Sequence, residues 1–117
     1  MSDYIFREDD LATFCERAAS SKILAVDTEF LRERSYYPKL CLIQLAVPQE
    51  VAVVDPLRIK NLGALKELLA NERIVKIFHA CSQDLEVIQD ALGCVPKPIF
   101  DTQVGAAFLG MRQQVGY

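Results

Sequence analysis

The sequence predicts an α/β protein in which a mixed β-sheet is flanked by helices. From Ile23 onward, apolar runs and helical stripes follow the order β-β-β-α-β-α-β-α, which is typical of strands covered by helices. Polar turns join the first three strands and favour an antiparallel meander, whereas helices join the later strands and favour parallel pairing. The chain has 117 residues, a length suited to one domain.

Local patterns define the elements of the N-terminal half. The acidic residues 8–10, followed by apolar residues at helical spacing up to Ala18, predict a helix after a short edge strand. The polar and aromatic stretch 31–39 is predicted to be a long exposed turn between two strands. The predicted strands cover residues 2–6, 23–30, 40–47 and 51–55.

In the C-terminal half the apolar period changes from that of strands to that of helices. Leucines at helical spacing predict a helix over residues 62–69, and a strand is predicted over 74–78. Ser82 is the expected N-cap of the next helix, which Gly93 closes. A short strand over residues 99–100 leads to a last helix that is capped by Asp101 or Thr102 and runs to Leu109.

The first core strand ends in two carboxylates, Asp27 and Glu29. Residues i and i+2 of a strand point to the same face, so both carboxylates project together and Thr28 projects to the opposite face. Two like charges held side by side repel each other unless a cation lies between them, and a divalent metal with oxygen ligands would neutralise them. The alternative is an ordinary solvated strand end, because the pattern Asp-x-Glu is common.

A third carboxylate, Asp84, is predicted in the first turn of a helix that follows the strand over residues 74–78. The helix dipole favours an acid there in any case, so Asp84 taken alone is explained as an ordinary helix-start residue. If that strand pairs parallel to the strand over residues 23–30, both end at one edge of the sheet, where ligands of open α/β sheets bind. Asp84 would then face Asp27 and Glu29, and three converging carboxylates suit a two-metal site.

Composition narrows the class of protein without fixing its activity. The net charge of −3 argues weakly against nucleic-acid binding, although a site of three carboxylates would by itself supply −3, and bound divalent metals would cancel it. Neither a secretory signal nor a membrane span is evident. Cys15 and Cys41 fall on apolar stretches and are interpreted as core residues of a reduced, cytoplasmic protein. No spacing supports a zinc site, since the single His79 is accompanied only by Cys81.

Three stretches together resemble ribonuclease D, a 3′-5′ exonuclease of the DEDD family. LAVDTEFLRERSYYPKLCLIQLA is similar to the first exonuclease motif, KIFHACSQDLEVI to the second, and PIFDTQVGAAFLG to the segment that follows. The resemblance implies a ribonuclease H-like fold and removal of nucleotides from RNA 3′ ends, with tRNA precursors as substrates. It also implies that Asp27, Glu29 and Asp84 are catalytic and hold two divalent ions, Mg²⁺ or Mn²⁺.

The same resemblance assigns residues to substrate binding. Thr28 and Phe30 fall where the family lines the pocket for the 3′-terminal nucleotide, although Phe30 suits the core equally well. His79 opens the second motif, and a loop or capping role suits it better than metal ligation. The basic, aromatic stretch after the first motif could meet phosphates and bases, or be a solvated turn. Its predicted contact residues are Arg32, Arg34 and Tyr36.

One departure from the family pattern concerns its fourth carboxylate, which follows a catalytic Tyr by four residues in a later helix. The chain stops at Tyr117, which is not assigned that role. Residues 1–117 are therefore expected to be the N-terminal part of an exonuclease domain, C-terminally incomplete, with weak metal binding and little activity. The alternatives are a non-catalytic fragment that binds itself or a partner through its uncovered face, and a DNA-directed 3′-5′ exonuclease.

Overall fold

A computed structural model of the chain describes residues 2–31, 39–79 and 82–103. Six strands and three helices lie in these ranges. The strands are β1 (Ser2–Ile5), β2 (Ile23–Leu31), β3 (Lys39–Val47), β4 (Glu50–Val54), β5 (Val75–Phe78) and β6 (Ile99–Asp101). The helices are α1 (Glu8–Ala18), α2 (Gly63–Ala70) and α3 (Ser82–Leu92).

The strands form one mixed sheet in the order β1-β4-β3-β2-β5-β6. Strand β3 is antiparallel to both of its neighbours, β2 and β4, which confirms the predicted meander. The remaining pairs, β1 with β4, β2 with β5 and β5 with β6, are parallel, as expected for strands joined through helices. Among the described strands, all except β3 therefore run in one direction and end at the same edge of the sheet.

The core lies on one face of this sheet. Helix α1 contributes the four apolar residues that its sequence period predicts, and α2 and α3 add their own apolar stripes to the same buried cluster. The strand residues of the cluster alternate with exposed ones, as in Leu24, Ala25 and Val26 of β2. The buried residues of α1 are Leu11, Phe14, Cys15 and Ala18.

The opposite face carries an apolar row that crosses five strands. The pairing registers join Phe100 to Ile77, Ile77 to Ala25, Ala25 to Ala46 and Ala46 to Val51. Val51 is 41% exposed and Phe100 is 52% exposed, so the described residues do not bury this row. We call the side of the sheet that carries this row the open face.

Several element boundaries differ from the predictions. Phe6 and Asp55 lie just outside the strands they were expected to end, and Leu31 and Lys39 belong to strands rather than to the intervening turn. Helix α3 begins at Ser82 itself, and Gly93 follows its end with a φ of +70°, a conformation that glycine adopts without a steric penalty. The predicted turn at 32–38 and most of the predicted last helix lie outside the described residues. The described helices are all too short or too polar to span a bilayer.

Candidate metal site at the carboxyl edge of the sheet

Strand β2 carries two of the three predicted carboxylates to the edge where the parallel strands end. Asp27 and Glu29 are exposed, and Thr28 between them is buried on the opposite, helix-covered face, so the predicted alternation is confirmed. A register shift in the pairing of β2 with β3 falls between Glu29 and Phe30. The regular pairing of β2 with β3 is therefore interrupted directly after Glu29.

Helix α3 brings Asp84 to the same strand end, and its first turn contains this residue, as predicted. Asp84 is only 8% exposed and accepts a hydrogen bond at Oδ1 from the Thr28 hydroxyl. The backbone N–H of Thr28 donates to Asp27 Oδ1 at 3.1 Å. Residue 28 therefore contacts both carboxylates, one through its side chain and the other through its backbone.

The surroundings of Asp84 concentrate negative charge. Burial raises the pKa of Asp84 above its usual value, and the charges of Asp27 and Asp101 raise it further, whereas the hydrogen bonds from Thr28 lower it. A carboxylate that is desolvated beside two other carboxylates has an electrostatic environment that a cation would improve.

The donor chemistry of these residues fits a divalent cation. Carboxylate oxygens are the ligands that Mg²⁺ prefers in proteins. Across the ranges 2–31, 39–79 and 82–103, however, no three His, Cys, Asp or Glu side chains are arranged to hold an ion. Asp84 approaches β2 from the covered face, while Asp27 and Glu29 project from the open face. A joint site of all three carboxylates therefore stays a prediction.

His79 follows β5 at the same edge and is exposed. Its Nδ1 lies 2.9 Å from Thr102 Oγ1. This contact links the ends of the parallel strands β5 and β6. Asp101 Oδ1 accepts the backbone N–H of Gln103 at 2.9 Å, which is the contact of a helix-capping acid. The role predicted for Asp101 from the sequence agrees with this contact.

The remaining predicted substrate-binding residues fall into two groups. Phe30 is partly buried and packs against the core cluster, which favours the structural of its two interpretations. The basic, aromatic stretch lies outside the described residues, so the roles of Arg32, Arg34 and Tyr36 stay predictions. Thr28 was expected to line a nucleotide pocket, but it is buried beneath Asp84.

Lys76 is a buried charged residue that the sequence analysis did not single out. Its side chain is fully buried, and Nζ donates to the backbone carbonyl of Lys97 at 3.0 Å and to that of Asn71. Strand alternation could have predicted its burial, because Lys76 lies on the same face of the strand as the buried Ile74 and Phe78. A lysine in that phase of a strand with neighbours on both sides must bury its chain and find acceptors.

A mixed sheet with helices on its core face and acids at its carboxyl edge suits a metal-dependent nuclease fold. The chain belongs to the 3′-5′ exonuclease family, whose sequence profile matches residues 3–117. It is 46% identical over 116 residues to ribonuclease D of Nitrobacter hamburgensis and 50% identical over 109 residues to ribonuclease D of Sphingobium indicum. These alignments cover 98% and 92% of this chain, and the resemblance to ribonuclease D is confirmed.

The crystal structure of Escherichia coli RNase D, an exoribonuclease involved in structured RNA processing, has the same fold. It matches with a TM-score of 0.89 and 45% identity over 92% of this chain, which confirms the predicted ribonuclease H-like class. The match covers 28% of the Escherichia coli chain. The chain likewise spans about 30% of the length of the curated relatives it matches.

Proposed function

We propose that this chain forms the metal-binding part of a 3′-5′ exoribonuclease that removes nucleotides from RNA 3′ ends. The observation that carries the proposal is the meeting of Asp84 with the end of β2, where it contacts Thr28 and feels the charge of Asp27. Membership of the 3′-5′ exonuclease family supports the reaction class, and the similarity to ribonuclease D supports RNA as the substrate.

In this proposal Asp27, Glu29 and Asp84 hold two divalent ions, Mg²⁺ or Mn²⁺. These residues would hold the ions, which would supply activation of a water molecule and stabilisation of the leaving oxygen of the cleaved phosphodiester. The protein holds the carboxylates at the ends of rigid elements: β2 fixes the first two, and the first turn of α3 fixes the third. His79 lies at the same edge and is proposed to contact the substrate, held in orientation by Thr102.

The test measures degradation of a 3′-labelled RNA by the complete gene product with Mg²⁺ or Mn²⁺. Asp27→Ala should abolish release of the 3′ nucleotide, because it removes a ligand that acts together with the others. Asp90→Ala is the matched control, since Asp90 is an exposed acid near the other end of α3. Unchanged activity of Asp27→Ala would rule out the proposed site.

The same proposal includes one finer assignment and has one alternative. Structured RNA precursors such as those of tRNA are the proposed substrates, by similarity to the Escherichia coli exoribonuclease. A DNA-directed 3′-5′ exonuclease would use the same carboxylates. A competition experiment separates the RNA-directed enzyme from the DNA-directed one. Degradation of labelled RNA is measured with an unlabelled DNA strand of the same sequence as competitor, and the DNA should inhibit a DNA-directed enzyme more strongly than an RNA-directed one.

The open face supports a second candidate, a module that associates with a second copy of itself. Its apolar row crosses five strands, and exposed apolar patches of this kind usually mark interfaces. Sedimentation of the 117-residue chain should then show a dimer, and Val51→Lys should shift it to a monomer. A monodisperse wild-type monomer that binds no hydrophobic dye would exclude this candidate.

A further inference from the structure

The contact between Thr28 and Asp84 joins two of the three buried polar or charged residues in the described part of the chain. Both residues are 8% exposed, so both are largely shielded from solvent. The hydroxyl of Thr28 donates to Asp84 Oδ1 across 56 positions of sequence. A hydroxyl that faces a buried carboxylate satisfies one of its oxygens and limits the rotation of the carboxylate group.

The position of Thr28 in β2 makes this contact directional. Strand alternation fixes its side chain to the covered face, and a β-branched side chain has few accessible rotamers in a strand. The backbone N–H of the same residue holds Asp27 Oδ1 at 3.1 Å on the other side of the strand. Thr28 is therefore the residue that connects the carboxylates on the two faces of β2.

We propose that Thr28 is a positioning residue that orients the carboxylate of Asp84 for a divalent cation, and that it does not line the nucleotide pocket. The inference rests on the proposed function, because it assigns Asp84 to the cation site. The burial of Thr28 supports it, since a side chain that is 8% exposed offers almost no surface to a nucleotide. Partners that orient metal ligands commonly change metal affinity when they are removed.

The experiment compares Thr28→Val, which keeps the shape but removes the hydroxyl, with Thr28→Ser, which keeps the hydroxyl. Mn²⁺ is titrated calorimetrically into the complete gene product without RNA. Thr28→Val should weaken Mn²⁺ binding about 10- to 100-fold, whereas Thr28→Ser should stay within a few-fold of the wild type. Mn²⁺ binding by Thr28→Val at wild-type affinity would overturn the proposal, and so would equal losses in both variants.

RNA degradation separates positioning from substrate contact. In Thr28→Val the Mg²⁺ concentration for half-maximal activity should rise, while the KM for RNA at saturating Mg²⁺ should not change. A loss that appears only in that KM would instead make Thr28 a substrate contact. Thermal melting in metal-free buffer checks that Thr28→Val is folded. If it is not, Thr28→Ala takes its place, and a wild-type Mg²⁺ requirement in Thr28→Ala overturns the proposal, as does a raised requirement in Thr28→Ser.

Asp27→Ala distinguishes this inference from the function on which it depends. If the wild type binds Mn²⁺, Asp27→Ala does not, and Thr28→Val binds like the wild type, only the positioning role fails. If Asp27→Ala binds Mn²⁺ like the wild type, the proposed function fails, and the role of Thr28 fails with it.

Discussion

Lys76 and Asp84 are two buried charged residues on the covered face of this sheet, and the charges around them differ in their effect. Lys76 donates to two backbone carbonyls, and the charge of Glu72 favours its protonated form, although burial still lowers its pKa. Asp84 has the hydroxyl and backbone of Thr28 as favourable partners, and its charged neighbours Asp27 and Asp101 share its sign. The surroundings of Lys76 compensate its charge, whereas those of Asp84 leave a negative excess.

This difference separates a structural charge from a functional one. A buried ion that the protein itself compensates holds elements together, as Lys76 does for the segments that contain Asn71 and Lys97. A buried ion among like charges costs stability in the free protein and is typical of sites that await a ligand of opposite sign. The comparison therefore predicts opposite responses when each charge is removed.

The largest expected effect is that of Asp84→Asn on activity. Degradation of 3′-labelled RNA should slow at least about 10³-fold, about 4 kcal/mol in the activation barrier, because an amide is a poor ligand for a divalent cation. The melting temperature in metal-free buffer should stay equal or rise, since the variant keeps a partner for Thr28 and removes repulsion from Asp27. Asp84 would instead be a structural residue like Lys76 if the melting temperature fell strongly and the activity fell only in proportion to the loss of folded protein.

The converse change is Lys76→Met, which keeps much of the side-chain volume and removes the ammonium group. The Lys97 carbonyl then loses its side-chain donor, and the Asn71 carbonyl keeps only the backbone N–H of Ile74. This loss should lower the free energy of unfolding by about 1–3 kcal/mol in urea denaturation. Mn²⁺ affinity of the folded variant should match the wild type, because Lys76 contacts none of the three carboxylates. Weaker Mn²⁺ binding without a loss of stability would contradict the structural role.

The smallest expected effect at neutral pH is that of the ionisation of Cys15, a buried group that is neutral there. Burial raises the pKa of its thiol to about 12 from a usual value of 9.0. The unfolded chain then loses this proton at lower pH than the folded chain, so its contribution to stability is present below pH 9 and falls between pH 9 and about 12. The slope is at most about 1.4 kcal/mol for each pH unit.

Cys15→Ala should remove the part of the alkaline loss of stability that comes from this thiol. The measurement is urea denaturation of the wild type and the variant between pH 9 and about 12. The variant has a smaller side chain in the core, so its stability at neutral pH should also be lower. The informative quantity is therefore the slope against pH rather than the stability at one pH. An identical slope in both proteins would contradict an ionisable contribution from this thiol.

The sequence alone determined the elements and their order. The alternation in β2, the apolar stripes of α1 and α3, and Gly93 at the end of α3 are local signals, and each predicted a feature that the structure contains. Sequence reasoning offered the parallel pairing of β2 with β5 only as the condition for a common site, and the structure contains that pairing. Helix α2, which lies between β4 and β5, permits a parallel strand at this point. The exposure of Asp27 and Glu29 on one face followed from strand geometry.

Only the tertiary structure decided which partners the buried polar groups meet. Sequence reasoning brought Asp84 to the strand end that carries Asp27 and Glu29, but it did not predict that α3 packs on the covered face and that Asp84 contacts Thr28 there. It also gave no partner for Lys76, whose acceptors lie in two separate loops. The face that a helix covers depends on the summed burial of apolar residues far apart in sequence, and no local pattern contains that sum.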